Sequence, residues 1–244
     1  MAVVERTIDI LGDEAFSAWV LSKTHQEGWP VDIYDDVVPS IAQYAMYKLG
    51  GVQSIRFTRV TRCYSYSVAS CTALVSLDLP LCTTIDDNVF RGCSHLTTVN
   101  LPELQSAGQY CFLDCVALEE INLPKLKSAF SSGLFQQCTG LRTVILPKLE
   151  TMGNAMFYGC SSLEQIDLPS IKTIGSNVFP SATEVINIGP NITSISADAL
   201  KNTQAGIIVN LPVAEGTVSG APWGNANAVI NYEVPYAGSV PMPT

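Results

Sequence analysis

Histidine is almost missing from this chain: His25 and His95 are the only two in 244 residues. Charge is scarce as well, at 14 % of residues, and the balance is acidic, with 13 Lys and Arg against 22 Asp and Glu for a net charge of −9. A chain without a basic stripe has nothing to neutralise phosphates, which excludes nucleic acid as a partner and disfavours an anionic membrane surface. No apolar run approaches the roughly 20 residues of a membrane-crossing helix, so membrane insertion is not expected. The opening MAVVERTIDILGDEAF holds acidic residues and no long apolar stretch, unlike a secretory leader. Also missing are a glycine-rich phosphate loop after a strand, a G-x-S-x-G turn and carboxylates paired in a cleft. The eight cysteines lack the C-x-x-C or Cys/His spacing of a zinc site. No catalytic signature remains, so neither an enzyme nor a cofactor is expected.

What the chain has is one sentence written several times. Residues 71–90 read CTALVSLDLPLCTTIDDNVF, 93–112 CSHLTTVNLPELQSAGQYCF, 138–157 CTGLRTVILPKLETMGNAMF and 160–179 CSSLEQIDLPSIKTIGSNVF. A further copy, CVALEEINLPKLKSAFSSGLF over 115–135, carries one extra residue. Leu-Pro pairs begin at Leu79, Leu101, Leu123, Leu146 and Leu168, in steps of 22, 22, 23 and 22 residues, and cysteines at 71, 93, 115, 138 and 160 keep the same steps. A period in the twenties is the mark of a solenoid, in which each turn of chain stacks on the last.

The unit C-x-x-L-x-x-[IV]-x-L-P-x-[LI]-x-x-[IAM]-x-x-x-x-F resembles the BspA-type leucine-rich repeats of bacteria, over roughly residues 31–212. The residues support the same architecture on their own. L-x-x-[IV]-x-L places apolar side chains on one side of a short extended segment, and stacked segments become neighbours in a parallel sheet. Proline suits the strand end, where its nitrogen owes no ladder bond. The columns Cys82/Leu104/Leu126/Leu149/Ile171 and Ile85/Ala107/Ala129/Met152/Ile174 bring the chain back across the core. Phe90, Phe112, Phe135, Phe157 and Phe179 fill its wide end. The expected fold is a right-handed leucine-rich-repeat solenoid, β-rich with short helical or 3-10 turns, a stacked parallel sheet of about nine strands and a helical N-terminal cap.

Residues 1–30 stand outside the repeat. Val3, Val4, Ile8 and Ile10 suit an opening strand, and 13–24 an amphipathic helix with Phe16, Trp19 and Val20 on its apolar face; it is read as a cap, with a docking helix as the alternative. The solenoid occupies 31–212, with strands near 77, 99, 121, 144 and 166 in the five regular coils and a coil trimmed between Phe179 and Ile186. Over 213–234 the repeat columns stop, and Trp223, Val229, Ile230 and Tyr232 offer an apolar plug for a C-terminal cap. The tail 235–244 reads as loose. The cysteines fall in apolar columns and are expected to be free core thiols, with a bridge between adjacent coils as the alternative.

One outward strand position defines a column: Asp32, Arg56, Asp78, Asn100, Asn122, Ile145, Asp167, Asn187 and Asn210, flanked by Thr98, Glu120, Thr143 and Gln165. Two readings stay open: a ladder of side chains bonded along the stack, or a recognition face. A linear column does not converge on a point, as calcium ligands must. The hydroxyls Ser40, Thr84, Ser106, Ser128, Thr151, Thr173 and Ser194 recur before the return residue, where they are expected to satisfy turn backbone. Cys93 and His95 suggest a nucleophile and base, but Cys93 is a repeat-column residue and side chains two apart in such a turn need not meet. Asn191-Ile192-Thr193 matches a glycosylation acceptor pattern at chance level.

The resemblance implies a non-enzymatic interaction module with a protein partner (host, matrix or assembly component), and a cell-surface or secreted location; with no signal peptide in the sequence read, a cytoplasmic or phage-associated one stays open. The candidate binding face is Arg56, Asp78, Asn100, Glu120, Asn122, Ile145, Gln165, Asp167, Asn187 and Asn210. The alternative is a structural spacer with no ligand on that face.

Overall fold

The computed structural model describes residues 2–5, 31–36, 38–129 and 132–240. The expected helix over 13–24, Ile8, Ile10 and His25 lie outside the described residues. In chain order the strands are β1 (Ala2–Glu5), β2 (Val31–Asp35), β3 (Ser40–Ile41), β4 (Val52–Phe57), β5 (Arg62–Cys63), β6 (Ser76–Asp78), β7 (Thr84–Ile85), β8 (Thr98–Asn100), β9 (Ser106–Ala107) and β10 (Glu120–Asn122). They continue as β11 (Ser128–Ala129), β12 (Thr143–Ile145), β13 (Thr151–Met152), β14 (Gln165–Leu168), β15 (Thr173–Ile174), β16 (Val185–Ile188), β17 (Ser194–Ile195), β18 (Ile208–Asn210) and β19 (Val229–Asn231).

Two parallel rows result. The first runs β1-β2-β4-β6-β8, then β10-β12, then β14-β16-β18-β19, with β8 packed beside β10 and β12 beside β14. The second runs from β3 through the odd-numbered strands to β17. The nine strands expected from the repeat are all present in the first row, and β1 and β19 extend it to eleven. β1 uses Val3 and Val4 as expected, while β19 takes Val229 and Ile230, which the sequence offered only as a plug. The trimmed coil keeps register: Gln165 pairs with Val185 and Leu168 with Ile188. Its tightness falls on Gly189, where a Cβ would lie 1.8 Å from the Pro169 carbonyl oxygen.

The connections are short turns closed by bonds three residues back, the 3-10 pattern expected, such as Leu96 N–H to Cys93 O (3.1 Å) or Leu163 N–H to Cys160 O (3.1 Å). Among the described residues there is no helix. Backbone in the left-handed region recurs two residues before the Phe column (Tyr44, Tyr66, Asn88, Tyr110, Ala155 and Asn177), a conformation that a right-handed helix does not hold.

The core is a continuous cylinder of the repeat's apolar columns. Phe90, Phe112, Phe135 and Phe157 are buried and stacked, with successive ring centroids 5.3, 5.4 and 5.7 Å apart. Met46 and Val68 precede them in the column, and Phe179, Leu200 and Trp223 follow. Trp223, 1 % exposed, donates its indole N–H to Ser219 O (2.9 Å) and accepts from Leu200 N–H (2.9 Å).

All eight cysteines are buried free thiols. The repeat column has a regular partner: each Sγ lies near the carbonyl oxygen of the Phe-column residue of an earlier coil. Cys71 donates to Met46 O (2.9 Å), Cys93 to Val68 O (3.3 Å), Cys115 to Phe90 O (3.3 Å), Cys138 to Phe112 O (3.0 Å) and Cys160 to Phe135 O (3.0 Å). A thiol here packs like a small hydrophobe and adds a second donor to carbonyls that, at Phe90, Phe112 and Phe135, already accept the backbone N–H three residues on. Burial pushes Cys71 and Cys160 up to about 12, and raises Cys93, Cys115 and Cys138 as well.

Two outcomes follow. Phe112→Ala removes a ring flanked on both sides and is expected to cost about 3–5 kcal/mol, read as a lower denaturant midpoint by circular dichroism. Ellman's reagent should find none of the eight thiols in the native chain and all of them after denaturation; rapid native labelling would contradict the buried thiol column.

Candidate interaction face

Outward positions of the first row form one stripe because each parallel pair stays in register. Arg56 pairs with Asp78 and Asp78 with Asn100. Asn122 pairs with Ile145, Asp167 with Asn187, Asn187 with Asn210 and Asn210 with Asn231. Glu120, Thr143 and Gln165 sit on the flanking column, as expected.

Asp32 does not belong to this stripe. A register shift between Val31 and Asp32 pairs Asp32 with Ser54, which hydrogen-bonds it, and places Tyr34 beside Arg56. The sequence misled because the last apolar slot of this strand is occupied by Asp35, buried and accepting from Val38 N–H (2.7 Å). Counting back from that slot is what locates Tyr34.

The stripe is bonded in two runs. In the first, Asn100 Nδ2 donates to Asp78 Oδ1 (2.7 Å) and Arg56 Nε lies 3.1 Å from Asp78 Oδ2. In the second, Asn187 donates to Asp167 (2.7 Å), Asn210 to Asn187 (2.8 Å) and Asn231 to Asn210 (2.9 Å). Asn231 was absent from the sequence-based column, although V-I-N at 229–231 echoes I-V-N at 208–210. Between the runs lie exposed Glu120 and Asn122 and half-buried Ile145, and among the described residues no side-chain bond joins the two. Ile145 is the one aliphatic residue among the ten residues of the candidate face and borders a cavity of about 380 Å³ with Val144, Gln165 and Asp167.

Asp167 is only 5 % exposed because the tail covers it. Residues 235–240, expected to be loose, lie across the sheet: the Ser239 backbone N–H and hydroxyl each donate to Asp167 Oδ2 at 2.6 Å. Gln165 Nε2 adds a bond to Asp167 Oδ1 (3.0 Å). Burial works against the anion, but the hydrogen bonds from Ser239, Asn187 and Gln165 outweigh it and hold this carboxyl below its usual range.

The remaining candidates separate. Cys93 points inward to Val68 O, while exposed His95 turns its Nδ1 to Thr72 O at 2.7 Å, so the two do not form a dyad. The hydroxyl column is the outer row of the second sheet. The hydroxyl-to-carbonyl bonds come instead from its neighbours: Thr61 to Pro39 O (3.2 Å), Thr83 to Thr61 O (3.2 Å) and Thr193 to Lys172 O (2.9 Å). Sequence reasoning also passed over an aromatic patch at the turns. Tyr44 and Tyr66 stack at 5.2 Å and Tyr47 meets Tyr44 edge-on at 5.5 Å. The spacing of 22 residues between Tyr44 and Tyr66 was the available signal. Among the described residues no cluster of acids, cysteines and histidines is placed to hold a metal ion, and no helix is long and apolar enough to cross a membrane.

Solved structures that resemble this one include leucine-rich repeat proteins. One from Bacteroides ovatus ATCC 8483 is 25 % identical, with a TM-score of 0.64, over 82 % of this chain and 56 % of its own. This chain thus spans little more than half of that protein. The T. pallidum leucine rich repeat protein is 25 % identical, with a TM-score of 0.57, over 62 % of this chain and 76 % of its own. A leucine rich cell surface protein from Faecalibacterium prausnitzii A2-165 aligns at 17 % identity with a TM-score of 0.32, over 86 % of this chain and 79 % of its own. None of the curated proteins matches. The BspA type leucine rich repeat region matches in six copies, over residues 31–142 and 105–214, and the chain belongs to that family.

Proposed function

We propose that this chain is a non-enzymatic recognition module that binds a partner protein through the face of its first sheet. Residues 213–234 close its C-terminal end. The setting is a bacterial cell surface, a secreted protein or a phage particle, and the role that of an adhesin or receptor-like element. One observation carries the reading: the bonded stripe breaks at Asn122 and Ile145, leaving exposed polar groups beside an apolar residue and a cavity. A stripe serving only solubility would gain from continuing its Asn/Asp ladder through those coils. Parallel sheets are ordinarily covered on both faces, and an uncovered one offers a partner a flat row of side chains in fixed register. Family membership supports the reading, since solenoid repeats present extended surfaces suited to multi-point binding.

The competing reading is a structural spacer, favoured by the two ladder runs that tie coil to coil. The two part at a single experiment. A partner is first captured from bacterial and host extracts, then its affinity is measured for the native chain and for Glu120→Lys/Ile145→Asp/Gln165→Lys. Ser106→Glu, on the second sheet, serves as control. All three proteins are matched by circular dichroism. The triple variant is expected to lose at least tenfold in affinity, in keeping with the loss of about 1–2 kcal/mol at a small interface centre, while the control keeps it. Equal binding by all three would move the function off this face.

A further inference from the structure

The tail does more than lie on the sheet. It leaves β19 with Val234 N–H bonded to Leu211 O (3.1 Å), then crosses from the outermost strand of its sheet to β14, three strands in. There Ser239 brings a backbone N–H and a hydroxyl to a single carboxylate oxygen of Asp167, 72 positions earlier in the chain. The segment folds on itself, with Tyr236 Oη donating to Val240 O (2.7 Å). Gly238 is wedged between the Tyr236 side chain and the carboxylate: a Cβ there would meet the Tyr236 Oη first and would sit 2.8 Å from Asp167 Cγ. Val240 is 4 % exposed and forms one wall of the cavity, whose other side is Val144 and Ile145.

Each feature is chemically selective. An anion that accepts both the N–H and the hydroxyl of one residue selects serine or threonine. The lack of room above the carboxylate selects glycine before it. The buried slot selects an aliphatic residue after it. Asp167 is held ready by Asn187 and Gln165, and its Oδ1 belongs to the ladder while Oδ2 faces outward. The contact is also small. Beyond Pro235, among the described residues, its hydrogen bonds to the sheet are the two from Ser239, set against the freedom lost by ordering five residues. Such a segment is displaceable. The cavity beyond Val240 continues toward Ile145, the unbonded part of the stripe.

Resting on the reading of this face as a recognition surface, we propose that Asp167 anchors an extended segment of a partner protein carrying Gly-(Ser/Thr)-aliphatic, and that residues 236–240 are its resident, displaceable occupant. The face is therefore self-occupied at rest and accepts only segments able to replace Ser239 on the carboxylate. The resident segment acts at a high effective concentration, so it sets a threshold that weak partners do not cross.

The probe is a fluorescein-labelled synthetic peptide, Tyr-Ala-Gly-Ser-Val-Pro-Met-Pro-Thr, the sequence of residues 236–244. It is titrated by anisotropy into the full chain and into the full-length Gly238→Val/Ser239→Ala variant. The variant is expected to bind the peptide at least tenfold more tightly than the native chain. Replacing the peptide's Ser by Ala should cost at least tenfold, as should adding Asp167→Asn to the variant. Asn is already the residue at 187 and 210 of this column, so that substitution fits the fold. In the native chain, saturating unlabelled peptide should accelerate amide exchange at Ser239. Equal peptide binding by native chain and variant overturns the proposal, as does indifference to the Ser→Ala peptide or unchanged exchange at Ser239. A chain that captures its partner through Glu120, Ile145 and Gln165 yet ignores this peptide would sink the Gly-Ser chemistry and leave the recognition face standing.

Discussion

The peptide group sets the pitch of this molecule, and everything else conforms to it. Parallel strands lie about 4.8 Å apart, so each coil must present its next donor and acceptor at that interval. At the wide end, Phe90 N–H meets Cys111 O (2.9 Å), Phe112 N–H meets Leu134 O (2.9 Å) and Phe157 N–H meets Val178 O (3.0 Å). The rings they carry follow that spacing in a stack, at 5.3–5.7 Å between centroids. The thiol column answers the same constraint from the other side, since whatever fills the space beside the Phe-column carbonyls must be slim enough not to push the coils apart. Five cysteines in register are thus a packing solution in which sulfur serves as both filler and donor.

The pitch also explains where charge sits. Lys125 reaches Glu103 (2.6 Å), Lys172 reaches Glu150 (2.7 Å) and Arg62 reaches Asp86 (2.8 Å), each pair a coil apart. These exposed pairs contribute little individually. Together with Arg56 on Asp78, they tie four of the thirteen Lys and Arg side chains to carboxylates, and the stripe on the sheet beyond Arg56 and Ile145 is left to amides and carboxylates.

Periodicity made most of this legible. The Leu-Pro steps locate the strands, and the Phe and Cys columns give the core, because a repeat writes each contact several times. What the sequence hid are contacts made once. Asp35 fills an apolar slot and so disguised the register of β2. Asn231 extends the ladder from a coil with no Leu-Pro to announce it. The docking of Ser239 on Asp167 joins two points that no local pattern connects, and composition alone made the tail read as loose.

The clasp between Ser239 and Asp167 has a mechanical side. A solenoid pulled at its end would ordinarily peel from the last coil inward. Here tension applied beyond Val240 arrives first at Asp167, bypassing the coils that β16, β18 and β19 belong to. Those coils carry no load until two hydrogen bonds part, and the slack of 236–240 is then released before any strand is strained. The tail is in that sense a fuse: a small, reversible break that absorbs the first extension and spares the stack.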